Sequence, residues 1–324
     1  MNILVVGGAG YLGGALIDIL MASKHDIRVY DLLLYEESYR KPVSFVYGDI
    51  RDRAKLKPCL DWADVVVWLA ALVGDPACSL SDAVAREINT GSVRFLKEHF
   101  KGRIIFMSTC SVYGAAEGEL DEGSALNPLS LYAESKRESE KVLEDTNALI
   151  FRLGTLYGVG DHFSRIRFDL VVNTLVMRSI FHGKVNIFGG DQYRPLLHVK
   201  DAAQAIFSCL PKNNKGIYNL HSENVTITEI VDRIKAFFPF LIVETSDTAF
   251  QDKRDYRVSS RKAEQDFGFQ PRFRIEDGIK EFKDMLEEGR IKNSFISRFS
   301  NYLYLKPLLS EYSSPLGRVI KQNI

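Results

Sequence analysis

The sequence predicts an α/β fold: a doubly wound parallel sheet followed by a smaller C-terminal α/β part. Three observations lead to it. An apolar run, Ile3-Leu4-Val5-Val6, enters the glycine series Gly7-Gly8-Ala9-Gly10-Tyr11-Leu12-Gly13 and continues into a helical pattern, Ala15-Leu16-Ile17-Asp18-Ile19-Leu20. Apolar strands then alternate with amphipathic stretches to about residue 155, as in a parallel sheet with helices on both faces. After Gly158 the character changes to a basic loop, short strands and further helices.

In order, strands are expected at 2–6, 27–31, 43–47, 65–69, 103–108 and 148–153, and helices at 11–22, 52–60, 81–100 and 131–145. The glycine loop joins the first strand to the first helix. Gly7 permits the tight turn, Gly10 lets the backbone approach a pyrophosphate, and Gly13 lets helix pack on strand. The helix amino terminus, at Tyr11 and Leu12, offers N–H groups and partial positive charge to phosphates. The second strand ends at Asp31, 18 residues after Gly13, near the distance at which an acidic residue binds a ribose 2′-hydroxyl. A carboxylate there repels a 2′-phosphate, so NAD is expected rather than NADP. Beyond 158, a basic loop (Arg165, Arg167) precedes an apolar helix ending near 182. Short strands and a glycine pair fill 185–200, a helix 201–210 and a strand Gly216–Leu220. A helix at 226–238, a strand at 240–244 and a charged stretch at 251–262 follow. From about 291 a tail carries Phe295, Ile296, Phe299, Tyr302, Leu303 and Leu305, then Pro307 and Pro315. Several of these have helical spacing, and packing on the body or another subunit is expected over membrane association.

The 42 basic residues balance 42 acidic ones, which argues against nucleic acid as the main partner. No apolar run is long enough to span a bilayer, and a strand starting at residue 2 leads us to expect no signal peptide, hence a cytoplasmic protein. Cys59, Cys78, Cys110 and Cys209 show no CxxC spacing and read as small hydrophobes in a reducing compartment. The histidines are scattered, so no metal is expected.

Tyr132 and Lys136 form a Tyr-x-x-x-Lys pair. Positions i and i+4 share a helix face, so the ammonium can lie near the phenol. Tyrosine titrates near 10, and a general base near neutrality needs a shift of roughly three units, about 4 kcal/mol. A lysine cation and a positive nicotinamide ring favour tyrosinate. Tyr302 and Lys306 match the same spacing and read as coincidence, lying in the tail outside the nucleotide fold. Upstream of Tyr132, the apolar run Ile104–Met107 ends in Ser108-Thr109-Cys110-Ser111. Parallel sheets place ligands at the carboxyl ends of their strands, where the Thr109 hydroxyl can bond a reacting sugar hydroxyl.

With these residues the chain resembles an extended short-chain dehydrogenase/reductase of the nucleotide-sugar epimerase and dehydratase branch, over residues 1 to about 285. The marks are Gly7-x-x-Gly10-x-x-Gly13, Gly48-Asp49-Ile50-Arg51-Asp52, Leu69-Ala70-Ala71, Ser108-Thr109-x-x-Val112-Tyr113-Gly114, Tyr132-x-x-x-Lys136 and Arg194-Pro195-Leu196-Leu197-His198-Val199-x-Asp201. The resemblance implies a Rossmann domain over 1–158, to which 192–222 returns, a mainly substrate-binding domain over 159–290, and a tail over 291–324. It implies that Asp49 and Ile50 hold the adenine, that Leu69, Ala70, Ala71 and Leu72 line the cofactor path, and that Lys136 also binds the nicotinamide ribose. Asn173, Arg194 and Arg254 occupy the places of residues that bind the substrate diphosphate, a role that suits guanidinium groups. A homodimer through two Rossmann helices, one carrying Tyr132, is implied as well.

Family dehydratases usually carry Asp-Glu directly after the threonine; here Cys110 and Ser111 stand there, and neither is a good acid or base at neutral pH. The usual Asn-x-Tyr-Gly reads Thr155-Leu156-Tyr157-Gly158. The stretches Arg165–Asn173 and Lys253–Tyr256 are similar to those of a subgroup that includes a GDP-manno-heptose 4-dehydrogenase. The expectation is an NAD-dependent nucleotide-sugar 4-epimerase, with Thr109, Tyr132 and Lys136 catalytic. The alternatives are a 4-dehydrogenase or 4-keto reductase, and a non-catalytic NAD-binding protein.

Overall fold

The computed structural model describes residues 1–163, 165–246, 254–291, 293 and 296–310; Lys253, Phe295 and Pro315, singled out above, lie outside them. In chain order the first half runs β1 (Asn2–Val6), α1 (Tyr11–Met21), β2 (Asp26–Asp31), β3 (Ser44–Tyr47), α2 (Arg53–Trp62), β4 (Val65–Trp68), α3 (Asp75–Cys78), α4 (Asp82–Arg86), α5 (Ser92–His99), β5 (Arg103–Thr109), β6 (Ala115–Leu120), α6 (Leu131–Leu143) and β7 (Ala148–Leu153). The second half runs β8 (Thr155–Tyr157), α7 (Val171–His182), β9 (Lys184–Phe188), β10 (Tyr193–His198), α8 (Val199–Cys209), β11 (Gly216–Leu220), β12 (Glu223–Thr226), α9 (Ile227–Phe237), β13 (Ile242–Ser246), β14 (Asp255–Val258), α10 (Arg261–Phe267), α11 (Ile275–Glu287) and α12 (Asn301–Ser310).

Seven parallel strands make the main sheet in the order β3-β2-β1-β4-β5-β7-β11. Its central strands β1 (from Ile3) and β4 are apolar on both faces because helices cover both. Ile3 and Val5 pack with Leu16 and Leu20 of α1 and Ile206 of α8, while Leu4 and Val6 pack with Leu56 of α2 and Leu96 of α5. Strand order reverses between β1 and β4, which opens a crevice at their carboxyl ends. β11 pairs with β7, so the chain returns to this sheet after β10. The other lobe holds a three-stranded sheet, β12-β10-β8, and a β13-β9 pair. Its core joins Val176 of α7, Ile230 of α9 and Phe282 of α11. A β14-β6 pair ties residues 255–258 to the loop after β5. Among the described residues no helix is long and apolar enough to cross a membrane.

Two helical expectations need correction. The stretch 81–100 is not one helix: α4 and α5 are separated by a π turn, Glu87–Gly91. The wider turn aims Asn89 inward, where its carbonyl accepts from the Leu72 N–H (2.8 Å) and its amide donates to the Leu72 carbonyl (3.0 Å) and to Ser135 Oγ (3.0 Å). α11, absent from the expected elements, is an amphipathic helix that buries Ile275, Ile279, Phe282 and Met285.

Two glycines are fixed by close approach. Gly7 has φ +87°, and a Cβ there would lie 2.6 Å from the Ala70 nitrogen; a Cβ on Gly13 would lie 2.6 Å from the Gly7 carbonyl oxygen. The loop after β1 can therefore sit between the loop after β4 and the first turn of α1 only as bare backbone.

A buried ion pair fixes α6 to the sheet. Arg152 of β7 donates to both carboxylate oxygens of Glu140 (3.0 and 2.7 Å), and the Ser108 hydroxyl also bonds Glu140. Arg152 further donates to the Tyr113 hydroxyl (2.9 Å), which lies 2.8 Å from Asn219 Oδ1 of β11. Removing one partner of such a pair strands the other charge. Arg152→Met is expected to destabilise the fold by about 3–5 kcal/mol, read as a lowered urea midpoint. Adding Glu140→Met should recover part of that loss.

Candidate active site

The carboxyl ends of the main sheet open into a cavity of about 840 Å³. Gly7, Gly10, Tyr11, Leu12, Gly13 and Asp31 line it on the glycine-loop side. Asp49, Ile50, Leu69, Ala70, Ala71 and Leu72 continue the wall. Thr109, Tyr132 and Lys136 face it from β5 and α6, and Arg194 and Arg254 from the other lobe.

The glycine-loop side fits a dinucleotide. The close approach at Gly7 leaves an open cradle of backbone before α1, suited to a diphosphate. Beside it, the Asp31 carboxylate accepts the N–H groups of Ala9 (3.0 Å) and Leu33 (2.7 Å). Burial pushes its pKa up, and these backbone donors oppose the shift. Leu33 holds a left-handed conformation, φ +53°, which costs about 1 kcal/mol and turns Leu34–Glu36 along the cavity wall. Asp49 lines the cavity already paired with Arg51 (2.7 Å).

The Tyr132–Lys136 pair departs from expectation. Lys136 is buried, its Nζ donates to the Met107 carbonyl of β5 (2.8 Å), and it lies 4.8 Å from the centre of the Phe106 ring. Burial lowers its ammonium to about 8. Burial pushes the Tyr132 phenol well above its ordinary range, and Cys78 and Asp75 add to the rise; Arg167 opposes it. The helix face is shared, as the spacing predicts, but the lysine reaches inward to a strand carbonyl, and the cation that favours tyrosinate is Arg167. Arg167 lines the cavity, paired with Asp169. The sequence shows it as a basic loop and gives it no role.

Thr109 ends β5. Its Oγ1 accepts from the Ser111 N–H (3.1 Å) and lies 3.1 Å from Ser111 Oγ. Ser111 Oγ is 3.4 Å from the Tyr256 hydroxyl. Cys110 points away, its thiol on the Arg152 carbonyl (3.2 Å). Arg254 reaches across to Asp75 of α3 (3.2 Å). Arg194 is buried and donates to the carbonyls of Tyr193 (2.8 Å) and Arg254, so the two arginines stand together.

Asn173 lies behind the cavity wall. It is fully buried and does not line the cavity. Its Oδ1 accepts the Gly158 N–H (3.0 Å), and its Nδ2 donates to the Arg167 carbonyl (2.9 Å) and toward the Tyr11 hydroxyl (3.4 Å). The amide is consumed in joining the first turn of α7 to the loop after β8. Its neighbour Thr174 faces the cavity instead. Sequence reasoning also missed Asp75, Asn301 and Tyr302 on the wall. An Asp-Pro helix start at Asp75 is a readable signal; the tail residues give none. The second Tyr-x-x-x-Lys match is not outside the nucleotide fold, since Tyr302 lines the cavity, with Lys306 Nζ 5.5 Å from its ring centre.

Two outcomes are expected. Asp31→Asn removes the carboxylate that repels a 2′-phosphate, so the ratio of NADP to NAD dissociation constants should fall by about tenfold or more, measured by titration. Lys136 releases its proton near 8 when folded and near 10.4 when unfolded. Between these values the unfolded chain binds more protons, so stability rises with pH. Denaturation midpoints of the cofactor-stripped protein, compared with Lys136→Met, should shift in favour of the native residue from pH 8 to 10.

Residues 3–220 match the model of the NAD dependent epimerase/dehydratase family. The chain is 27% identical over 237 residues to the uncharacterized UDP-glucose epimerase YtcB of Bacillus subtilis, covering 65% of this chain and 73% of that protein. It is 27% identical over 316 residues to a dTDP-glucose 4,6-dehydratase of an Actinoplanes species, covering 87% and 96%. The solved structure of a UDP-glucuronic acid 4-epimerase from Bacillus cereus, in complex with UDP-glucuronic acid and NAD, has the same fold. It has a TM-score of 0.78 at 23% identity and covers 89% of this chain and 99% of that one. The glycine loop, the cavity and the family match agree: the chain belongs to the NAD-dependent epimerase/dehydratase family and is an NAD-dependent enzyme.

Proposed function

We propose that the protein is a nucleotide-sugar 4-epimerase that acts through a transient 4-keto sugar. The observation that carries this is the composition of the cavity wall beside Tyr132: Thr109 and Ser111 stand in it, whereas Cys110 is buried with its thiol on a backbone carbonyl. Burial pushes that thiol's pKa upward, so the position supplies no acid. A 4,6-dehydratase needs an acid and a base there to move the C5 proton and expel the C6 hydroxyl.

NAD supplies the hydride acceptor and donor for C4. Tyr132 takes the proton of the sugar 4-hydroxyl and returns it, and Thr109 orients that hydroxyl. Arg167 favours the phenolate, and Tyr132 ionises once further positive charge is bound beside it. Lys136, anchored on Met107, holds the α6 side of the pocket and the nicotinamide ribose. Arg194 and Arg254 take the substrate diphosphate, for which paired guanidinium groups are suited. Residues 159–290 then form mainly the substrate domain; of the stretch 192–222, α8 and β11 return to the Rossmann domain while β10 stays in the sheet of the other lobe. A homodimer through two Rossmann helices and a cytoplasmic location accompany this proposal.

The test is a time course with UDP-, GDP-, CDP- and dTDP-sugars, following nicotinamide absorbance and product identity together. A new stereoisomer without accumulating NADH is expected. NADH rising in step with a keto sugar would instead identify a 4-dehydrogenase using the same residues. Tyr132→Phe should lower turnover by about 10²–10⁴-fold while NAD still binds in a titration.

A further inference from the structure

The tail bridges the loops after β2 and β4, on either side of the glycine loop. After the turn Ser297–Phe299, Arg298 pairs with Glu36 in the loop after β2 (3.5 Å). Three residues on, Asn301 Nδ2 donates to the Val73 carbonyl in the loop after β4 (2.7 Å). In the sheet, β2 and β4 flank β1 on opposite sides. With strands spaced by about 4.8 Å, the two loops leave the sheet roughly 10 Å apart, and the glycine loop emerges between them. A segment bonded to both bridges the loops on either side of the glycine loop, at the same cavity.

The other lobe holds the same segment. Asn301 Oδ1 accepts from Arg165, the Asn301 N–H donates to Asp169 (2.8 Å), and Arg165 donates to the Arg298 carbonyl (2.7 Å). The Phe168 N–H donates to the Phe299 carbonyl (2.9 Å). Arg165 lies 3.6 Å from the centre of the Tyr35 ring, and its N–H donates to Glu36 (2.6 Å). Ser300, Asn301 and Tyr302 all line the cavity. α12 then packs down through Leu305, buried with Leu72, Ala77 and Cys78.

We infer that Arg298–Tyr302 is the third wall of the cofactor site, with Asn301 a positioning residue that holds NAD in the cleft through turnover. This rests on the cleft being the NAD site. Release of the dinucleotide requires the segment to lift, which breaks the bonds to Val73 and Glu36 together. Retention has a chemical consequence under the proposed function. With the dinucleotide held, the hydride taken from C4 would be available for return to the ketone; its loss would leave a 4-keto sugar as product, with the 4-hydroxyl proton released to solvent.

The experiment measures NADH release from the full-length holoenzyme by stopped-flow fluorescence, with excess NAD as the displacing agent. Asn301→Ala loses one neutral and one charge-assisted hydrogen bond, and should release NADH about tenfold faster or more. Leu303→Ser, on the exposed face of α12 (Leu303 is 55% exposed), should release at the native rate. Thermal unfolding of the cofactor-free proteins separates wall from scaffold: a merely structural Asn301 lowers the midpoint and leaves the release rate unchanged. Native-rate release from Asn301→Ala, or equal acceleration by Leu303→Ser, overturns the inference while leaving the NAD site in place. Failure of the native protein to bind NADH in a direct titration overturns both.

Discussion

The buried pair between Glu140 and Arg152 sets the height of α6 against the sheet, and the cleft is registered to that helix. Arg152 comes from β7 and Ser108 from β5, and both meet Glu140, two turns beyond Tyr132. In a parallel sheet the helix can slide along the strands without breaking its own hydrogen bonds, because its packing is apolar and weakly directional. A bidentate guanidinium–carboxylate contact is directional, and it removes that freedom. Lys136 on Met107 and Ser135 on Asn89 repeat the constraint nearer the cavity. Tyr132 and Thr109 thereby share one wall, although their chain segments are joined by an exposed strand and a loop.

The apparent conflict at Tyr132 follows from this packing. A phenol set deep in the cleft loses solvation, and burial raises its pKa. The lysine that the spacing assigns to it is subject to the same burial, which favours its neutral form. The two effects oppose tyrosinate, and Arg167, from the other lobe, acts against them. The charges around the tyrosine thus come from both lobes, an arrangement that no single motif carries.

The main sheet was legible in the sequence because β1, β4 and the middle of β5 are apolar runs whose glycine and polar breaks fall at the strand ends. Gly7, Gly13 and Asp31 were legible because turn geometry and the distance between them are local. The π turn at Glu87–Gly91 was not: its cause is a side chain, Asn89, that serves a backbone 17 residues earlier. Asn173 was assigned to the ligand by position, yet its partners are Gly158, Arg167 and Tyr11, which come together only in the folded chain. α11 is readable in the sequence, since Ile275, Ile279, Phe282 and Met285 follow helical spacing. The tail's apolar spacing indicates packing on the body or on another subunit; its described part packs on the body, at a place set by polar bonds to Val73 and Glu36 that hydrophobic periodicity does not report.

Those bonds join residues far apart along the chain: 228 positions separate Asn301 from Val73, and 262 separate Arg298 from Glu36. Closing such loops costs more entropy than closing the β1–β2 or β4–β5 crossovers, and contacts of large sequence separation form late. The order of events during folding is thereby constrained. The glycine loop and its flanking strands can assemble before the tail is bonded to either neighbouring loop, while the crevice between them is still open. On a nascent chain, which is made from its amino terminus, that interval is the time in which a dinucleotide can be taken up without having to displace anything.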